Sequence, residues 1–325
     1  MRQGDRRATP LTNLPLKNAV LISNPLAGLQ DSRHSRRLHK AGVILHQAGI
    51  NAKLQFTTRR GDAERLAREA AGQGCDLIIV CGGDGTINEV VNGMAPVRIP
   101  LAILPGGTAN IVARELGLPG GILKAARMLP SWRPCRIPLG RAIWEESGSA
   151  RQRYFLAVAG IGFDAHIIQQ LNVAMKLRLG VIAYGWEAVR QVFRYAFPRF
   201  QCEANGVSSF ATFAVIQRSR RYAGWLKLAR PHSVHDHGFS CCLFEGSSPA
   251  RYFRYAISVL TQTHHRMKDV RFLNGPSVRC IPTPDEQVVF FEVDGEMAGK
   301  LPVTFESVPD AMTILAPEPF FSPKA

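Results

Sequence analysis

Through the first part of the chain, short apolar runs alternate with longer segments of helical period. NAVLIS at 18–23, AKLQFTT at 52–58, DLIIVC at 76–81 and PLAIL at 100–104 have the length and continuity of buried strands. Each leads through a loop into a helical segment. The first is 35–49, the second is 61–74 with Asp62 near its start and glycines at its end, and the others follow GGDGT and PGGTAN, the last ending at ELGLPGG. Strand, loop and helix recurring four times predicts an α/β domain, a mostly parallel sheet with helices packed against it.

From about residue 135 the pattern turns β-rich. RQRYFLAVAGIGFDA, SSFATFAVIQRS, GFSCCLFEG, KDVRFLNG, SVRCIP, QVVFFEVDGE and LPVTFESV read as strands joined by short turns, interrupted by one long helical stretch near 167–197. Such a series predicts a second, all-β, sandwich-like domain. The proline-rich LPSWRPCRIPLG at 129–140 is the expected boundary. The chain then divides into a disordered basic tail at 1–17, an α/β nucleotide-binding domain at 18–134 and a substrate domain at 135–325, whose last residues are free to return to the first.

Composition narrows the function. A chain of 325 residues exceeds the ~250–300 at which single cores stop growing, so two domains are expected. The formal net charge of +15 favours an anionic partner: nucleic acid, an acidic membrane surface or phosphorylated small molecules. The basic clusters at 33–37, 59–60 and 218–221 are too short for a nucleic-acid arm. Seven cysteines without a CxxC pair, two of them adjacent at Cys241 and Cys242, point to a reducing cytoplasm rather than a disulfide framework. The charged, proline-broken start does not read as a secretory signal, and no run approaches the ~18 apolar residues of a spanning helix. Contact with a membrane would be peripheral.

Loops leaving the carboxyl ends of parallel strands line the crevice where ligands bind. NPLAG, GGDGT and PGGTAN are three such loops here, and glycines at 82, 83, 85, 106 and 107 let backbone N–H groups approach a phosphate at a helix start. Neither familiar glycine fingerprint is present: GxxxxGK[ST] is absent, and Asn88 stands where GxGxxG needs its third glycine. Asp84 therefore needs its own explanation. A carboxylate beside phosphates would repel them unless it pairs with a metal, a ribose hydroxyl or a moving proton. Alternatively it is a turn aspartate bonded to its own backbone.

NPLAG, TTRRGDA, GGDGTINEVVNG and LPGGTANIVARELGLP, in this order and spacing, resemble the catalytic domain of the diacylglycerol kinase and bacterial lipid kinase family. AGIGFDA at 159–165, YAGWLKLARPHSVHDHGF at 222–239 and FEVDGE at 291–296 extend the resemblance to the C-terminus. It implies an NAD kinase-like α/β domain and a β-sandwich with the nucleotide between them, and an ATP-dependent, magnesium-requiring enzyme that phosphorylates a lipid hydroxyl, by default a diacylglycerol. By motif, Asn24, Thr57, Gly82, Gly83, Asp84, Gly85, Thr86, Ile87, Asn88, Gly107 and Thr108 would contact ATP, Asp84 would organise Mg2+ and Glu296 would be the general base. The residues around Glu296 also carry a local signal, since Asp294-Gly295 supplies the positive φ values of a two-residue hairpin.

The chain departs from the pattern at one position. Relatives place an aspartate where His237 stands, helping to hold a structural magnesium; the aligned carbonyl ligands are Val234 and Phe239, with Asp236 adjacent. Histidine is a poor substitute for a carboxylate on magnesium. His232, His235, Asp236 and His237 suit a borderline metal or simply a polar loop, and the loop is favoured because no fourth ligand of known spacing is evident. The segment 175–200 mixes Val181, Ile182, Tyr184, Trp186, Val189, Val192, Phe193 and Phe197 with Lys176, Arg178, Arg190, Arg194 and Arg199, a basic amphipathic pattern that suits an anionic bilayer or a packed helix. The expected partner is thus a lipid substrate at a membrane surface, not nucleic acid, with a homodimer left open. A kinase for a soluble acceptor and a non-enzymatic nucleotide or lipid sensor stand as rivals.

Overall fold

The computed structural model describes residues 16–25, 32–95, 98–107, 110–170, 181–219, 222, 226, 228, 237–284 and 287–320. Most of the expected tail lies outside them. In the first part, β1 (Asn18–Ser23), β2 (Asn51–Phe56), β3 (Leu77–Gly82) and β4 (Leu101–Pro105) alternate with α1 (Ser32–Gln47), α2 (Asp62–Gly72), α3 (Asp84–Met94), α4 (Ile111–Glu115) and α5 (Ile122–Met128). The four strands are parallel in the order β2-β1-β3-β4. Their continuous apolar character has a direct cause: both sheet faces are covered. Val20, Ile22, Ile78, Val80, Leu101 and Ile103 pack towards α2 and α3, while Ala19, Leu21, Leu77, Ile79, Ala102 and Leu104 pack towards α1 and α5.

The sheet does not stop at the expected boundary. The proline-rich stretch is the start of a 14-residue strand, β5 (Arg133–Glu146), which runs antiparallel to β16 (Val303–Ala316). Pro138, which has no N–H to give a ladder, falls at the register shift between Val308 and Met312. Near its end β16 pairs in parallel with β4 through Ile314 and Leu101, so one ten-stranded sheet spans both parts of the chain. It also contains β6 (Ser149–Phe155), β8 (Phe200–Ala204), β9 (Val207–Ala211) and β13 (Ser277–Pro282).

A six-stranded sheet stacks on this extension, in the order β12 (Val270–Gly275), β11 (Phe239–Phe244), β10 (Phe213–Gln217), β7 (Val158–Gly162), β14 (Phe290–Val293), β15 (Glu296–Lys300). The inner faces of the two sheets share a core that includes Phe155, Phe200, Phe239, Phe291 and Phe305. The outer face of the smaller sheet is covered by α6 (Phe163–Gln170), α7 (Val181–Gln191) and α8 (Pro249–Leu260), through Phe163, Ile167, Val192, Tyr252, Tyr255 and Val259. Two helices, α6 and α7, thus occupy the described parts of the predicted long helical stretch. The third was not foreseen, although Ser248 at the cap, Pro249 in the first turn and apolar Tyr252, Tyr255 and Val259 mark it. All seven cysteines are free thiols. Among the described residues no helix is long and apolar enough to cross a membrane.

Candidate functional site

Parallel strands bring their carboxyl ends to one edge, and the expected loops gather there. Ser23 lies level with Phe56 and Cys81, and Gly82 with Pro105. The Asn24 N–H donates to the Cys81 carbonyl at 3.4 Å, and that of buried Thr57 to Ser23 at 3.0 Å. The Gly106 N–H donates to the Gly82 carbonyl at 3.1 Å. The GGDGT and PGGTAN loops then touch main chain to main chain: a Cβ on Gly83 would sit 3.4 Å from the Gly107 Cα, and one on Gly107 would overlap the Gly83 Cα. Only glycine permits that approach. Thr108, and NPLAG beyond Pro25, lie outside the described residues.

Helix α3 starts at this junction. Its N-cap is Gly83, in extended conformation, and no side chain caps it. The first helical bond is from the Ile87 N–H to the Gly83 carbonyl at 3.1 Å, so the N–H groups of Gly85 and Thr86 have no intrahelical acceptor and face the crevice with the positive end of the helix dipole. A cradle of amides and glycines fits phosphate oxygens.

Asp84 has a structural task that spacing did not reveal. Its carboxylate accepts the Val112 N–H at 3.2 Å and so ties the start of α3 to α4. Burial pushes its carboxyl above the ordinary range and Asp294 adds to this, while the Ile111 and Val112 amides pull it back. Two members of the expected nucleotide run turn away from the crevice: the Ile87 side chain is in the core of the parallel sheet, and Asn88 is fully buried. Its amide donates to the Tyr154 carbonyl at 3.0 Å and to Asp294 at 2.9 Å, and its oxygen accepts from Arg153 at 3.1 Å. These bonds, rather than ATP, are where the Asn88 side chain goes.

Asp294 and Gly295 have φ of 50° and 83° and join β14 to β15 as the hairpin turn that the sequence predicts. The turn is anchored by Asp294, which accepts N–H groups from Leu156, Ala157 and Val158 at 2.8, 2.9 and 3.1 Å. Glu296 is the first residue of β15, and its Oε1 lies 3.0 Å from where a Cβ on Gly85 would stand. Its Oε2 pairs with the Arg60 guanidinium at 2.9 Å. A carboxylate from the second part of the chain thus reaches the phosphate cradle of the first.

Arg60 is the neighbour that sequence reasoning did not single out. Its loop, TTRRGDA, is organised by Asp62, which accepts the Thr58 N–H and hydroxyl at 2.8 and 2.6 Å and the Arg59 N–H at 3.1 Å. Glu89 caps the start of α2 through the Gly61 and Ala63 N–H groups. The Thr58 bonds hold the Asp62 carboxyl down to about 2, below its ordinary 3.8. A depressed carboxyl contributes stability above its unfolded value and loses it as pH falls through the folded one. Thermal melts should therefore show a stability loss between about pH 4 and 2 that is missing in Asp62→Asn; equal slopes in the two proteins would refute this role for Asp62.

For magnesium, Asp84 and Glu296 offer hard oxygen donors, but no group of three or more ligating side chains converges among the described residues. That suits an ion held partly by substrate phosphates, the usual arrangement for magnesium. At the expected second metal site, His237 is exposed just before β11 and the Phe239 side chain is buried, while Val234, Asp236, His232 and His235 lie outside the described residues. The AGIGFDA segment places buried Asp164 and Glu292 on either side of Gly160, with the Tyr222 hydroxyl donating to Asp164 at 2.8 Å.

Residues 18–142 match the model of the diacylglycerol kinase catalytic domain, and residues 157–316 match that of the YegS C-terminal NAD kinase beta sandwich-like domain. The chain is 30% identical over 310 residues to a diacylglycerol kinase of Bacillus subtilis (strain 168), covering 93% of this chain and 97% of that protein. It is 28% identical over 306 residues to one of Staphylococcus aureus, covering 93% of each. A crystal structure of a diacylglycerol kinase from Bacillus anthracis str. Sterne superposes with a TM-score of 0.73 at 25% identity, over 94% of this chain and 99% of that one. A second structure from the same organism gives 0.76 at 23% identity, over 95% and 98%, a likeness of fold. With both domain models matched in order across nearly its whole length, the chain belongs to the diacylglycerol kinase catalytic-domain family.

Proposed function

We propose that the protein transfers the γ-phosphate of ATP to the hydroxyl of a lipid, with a diacylglycerol-like molecule as acceptor. The observation that carries this reading is the position of Glu296: a carboxylate on a rigid hairpin, against the glycine at the uncapped start of α3. The Gly85 and Thr86 amides bind phosphate oxygens, and the glycines at 82, 83 and 107 leave room for them. The acceptor oxygen attacks the γ-phosphorus and its proton passes to Glu296. The bond from the γ-phosphorus to the oxygen bridging to the β-phosphorus breaks, and ADP leaves with that oxygen. Phosphoryl transfer asks mainly for alignment and charge neutralisation. Arg60 supplies positive charge beside the base and holds its carboxylate oriented. Magnesium, held by Asp84 together with phosphate oxygens, would neutralise charge on the phosphates.

Purified protein given labelled ATP and either dioctanoylglycerol in mixed micelles or NAD is expected to label the lipid. Label appearing only in NAD would overturn the lipid reading in favour of a soluble acceptor.

A further inference from the structure

The helical layer on the outer face of the six-stranded sheet carries an apolar surface that the described fold leaves uncovered. Trp186, Val189 and Phe193 recur at i, i+3 and i+7 along α7 and the turn after it; Phe253, Ile257 and Leu260 recur at i, i+4 and i+7 along α8. All six are exposed, Trp186 at 65%, Phe193 at 67% and Ile257 at 63%. The opposite faces are already used, with Val192, Tyr252, Tyr255 and Val259 in the core beneath. Phe193 and Phe253 lie 5.6 Å apart between ring centroids, so the two stripes meet in one surface. Six large apolar side chains gathered in this way exceed the scattered exposure normal for a monomer.

The charge around this surface has one sign. The single acidic residue of α7, Glu187, is buried and accepts the Gln191 amide, and α8 has no acidic residue. Arg190, Arg194 and Arg254 are exposed and follow Val189, Phe193 and Phe253 in the chain. We propose that this two-helix face docks on an anionic lipid bilayer, with the apolar side chains entering the acyl region and the arginines meeting headgroup phosphates. A second copy of the chain is a poorer occupant. An isologous contact would bring the arginines of one copy up to those of the other. The inference takes its purpose from the lipid-acceptor reading, but its test does not depend on it.

The test is sedimentation of the full chain with vesicles of phosphatidylcholine, alone or mixed with phosphatidylglycerol, without ATP or acceptor. The chain is expected to bind the mixed vesicles, more weakly as salt rises, and Trp186→Glu/Ile257→Glu is expected to weaken that binding by about tenfold or more. Both positions are exposed, so the variant should melt as the parent does. Vesicle binding unchanged in the double variant, no binding by the parent, or a self-association in lipid-free velocity runs that the variant abolishes would each overturn the proposal. Labelling of dioctanoylglycerol micelles separates the two readings. Anionic-vesicle binding without any lipid phosphorylation removes the proposed acceptor and keeps the docking face. Micelle phosphorylation with variant-insensitive vesicle binding removes the docking face alone.

Discussion

Glu296→Gln is expected to lower kcat by about 10²–10⁴-fold, the usual contribution of a positioned general base, while leaving the Kd for ATP nearly unchanged. Glutamine has the same shape and keeps an oxygen for Arg60, so the hairpin and the contact with Gly85 persist. What disappears is the ability to take the acceptor proton as the new oxygen–phosphorus bond forms. Glu296→Asp separates chemistry from reach: the proton acceptor stays but withdraws from the cradle, so turnover should fall between the other two. Arg60→Ala supplies a further comparison. If Glu296→Gln turns over normally and only Arg60→Ala is impaired, the pair acts through the arginine's charge and Glu296 is not the base. Equilibrium binding of ATP and single-turnover transfer, measured on the same preparations, distinguish these outcomes.

The parts of this site that the sequence announces are those with local causes. Four apolar strands followed by glycines dictate a parallel sheet with its loops at one edge, and Asp-Gly between two strands dictates a tight hairpin. The parts it conceals depend on partners far along the chain. Asp294 is 138 residues from Leu156 and 206 from Asn88, separations at which no spacing rule operates. The same holds for β16, whose return beside β4 merges what looks like two domains into one continuous sheet. Asp84 illustrates how a correct location can carry an unexpected duty. It lies in the phosphate loop, yet its carboxylate is turned to an amide at the start of the next helix. Helix α8 is a different case, because its cap, proline and apolar spacing were all legible but lay within a run of strands.

Asp294→Asn is expected to produce the largest loss of stability of any substitution of equal size near the site. Each carboxylate oxygen accepts two hydrogen bonds: Oδ1 from the Ala157 and Val158 amides, Oδ2 from the Leu156 amide and the Asn88 side chain. An asparagine must turn one of these oxygens into an NH2 group that faces two donors. With about 1–3 kcal/mol for each buried donor left without an acceptor, the cost is about 2–6 kcal/mol. The backbone is not the cause, since asparagine tolerates the positive φ of this turn as readily as aspartate does. Urea unfolding followed by tryptophan fluorescence measures the effect as a lower midpoint at similar slope. Asn88→Ala removes only one of the four donors and should cost less, and the double variant should fall short of the sum because the two residues share a bond. The consequence reaches the chemistry. Asn88 belongs to α3, Leu156 to Val158 lie at and just before the start of β7, and Asp294 sits two residues before Glu296. This one carboxylate therefore fixes the hairpin and the base it carries against the helix whose N-terminus receives phosphate. An Asp294→Asn protein with unchanged unfolding and unchanged turnover would show that the alignment has another source.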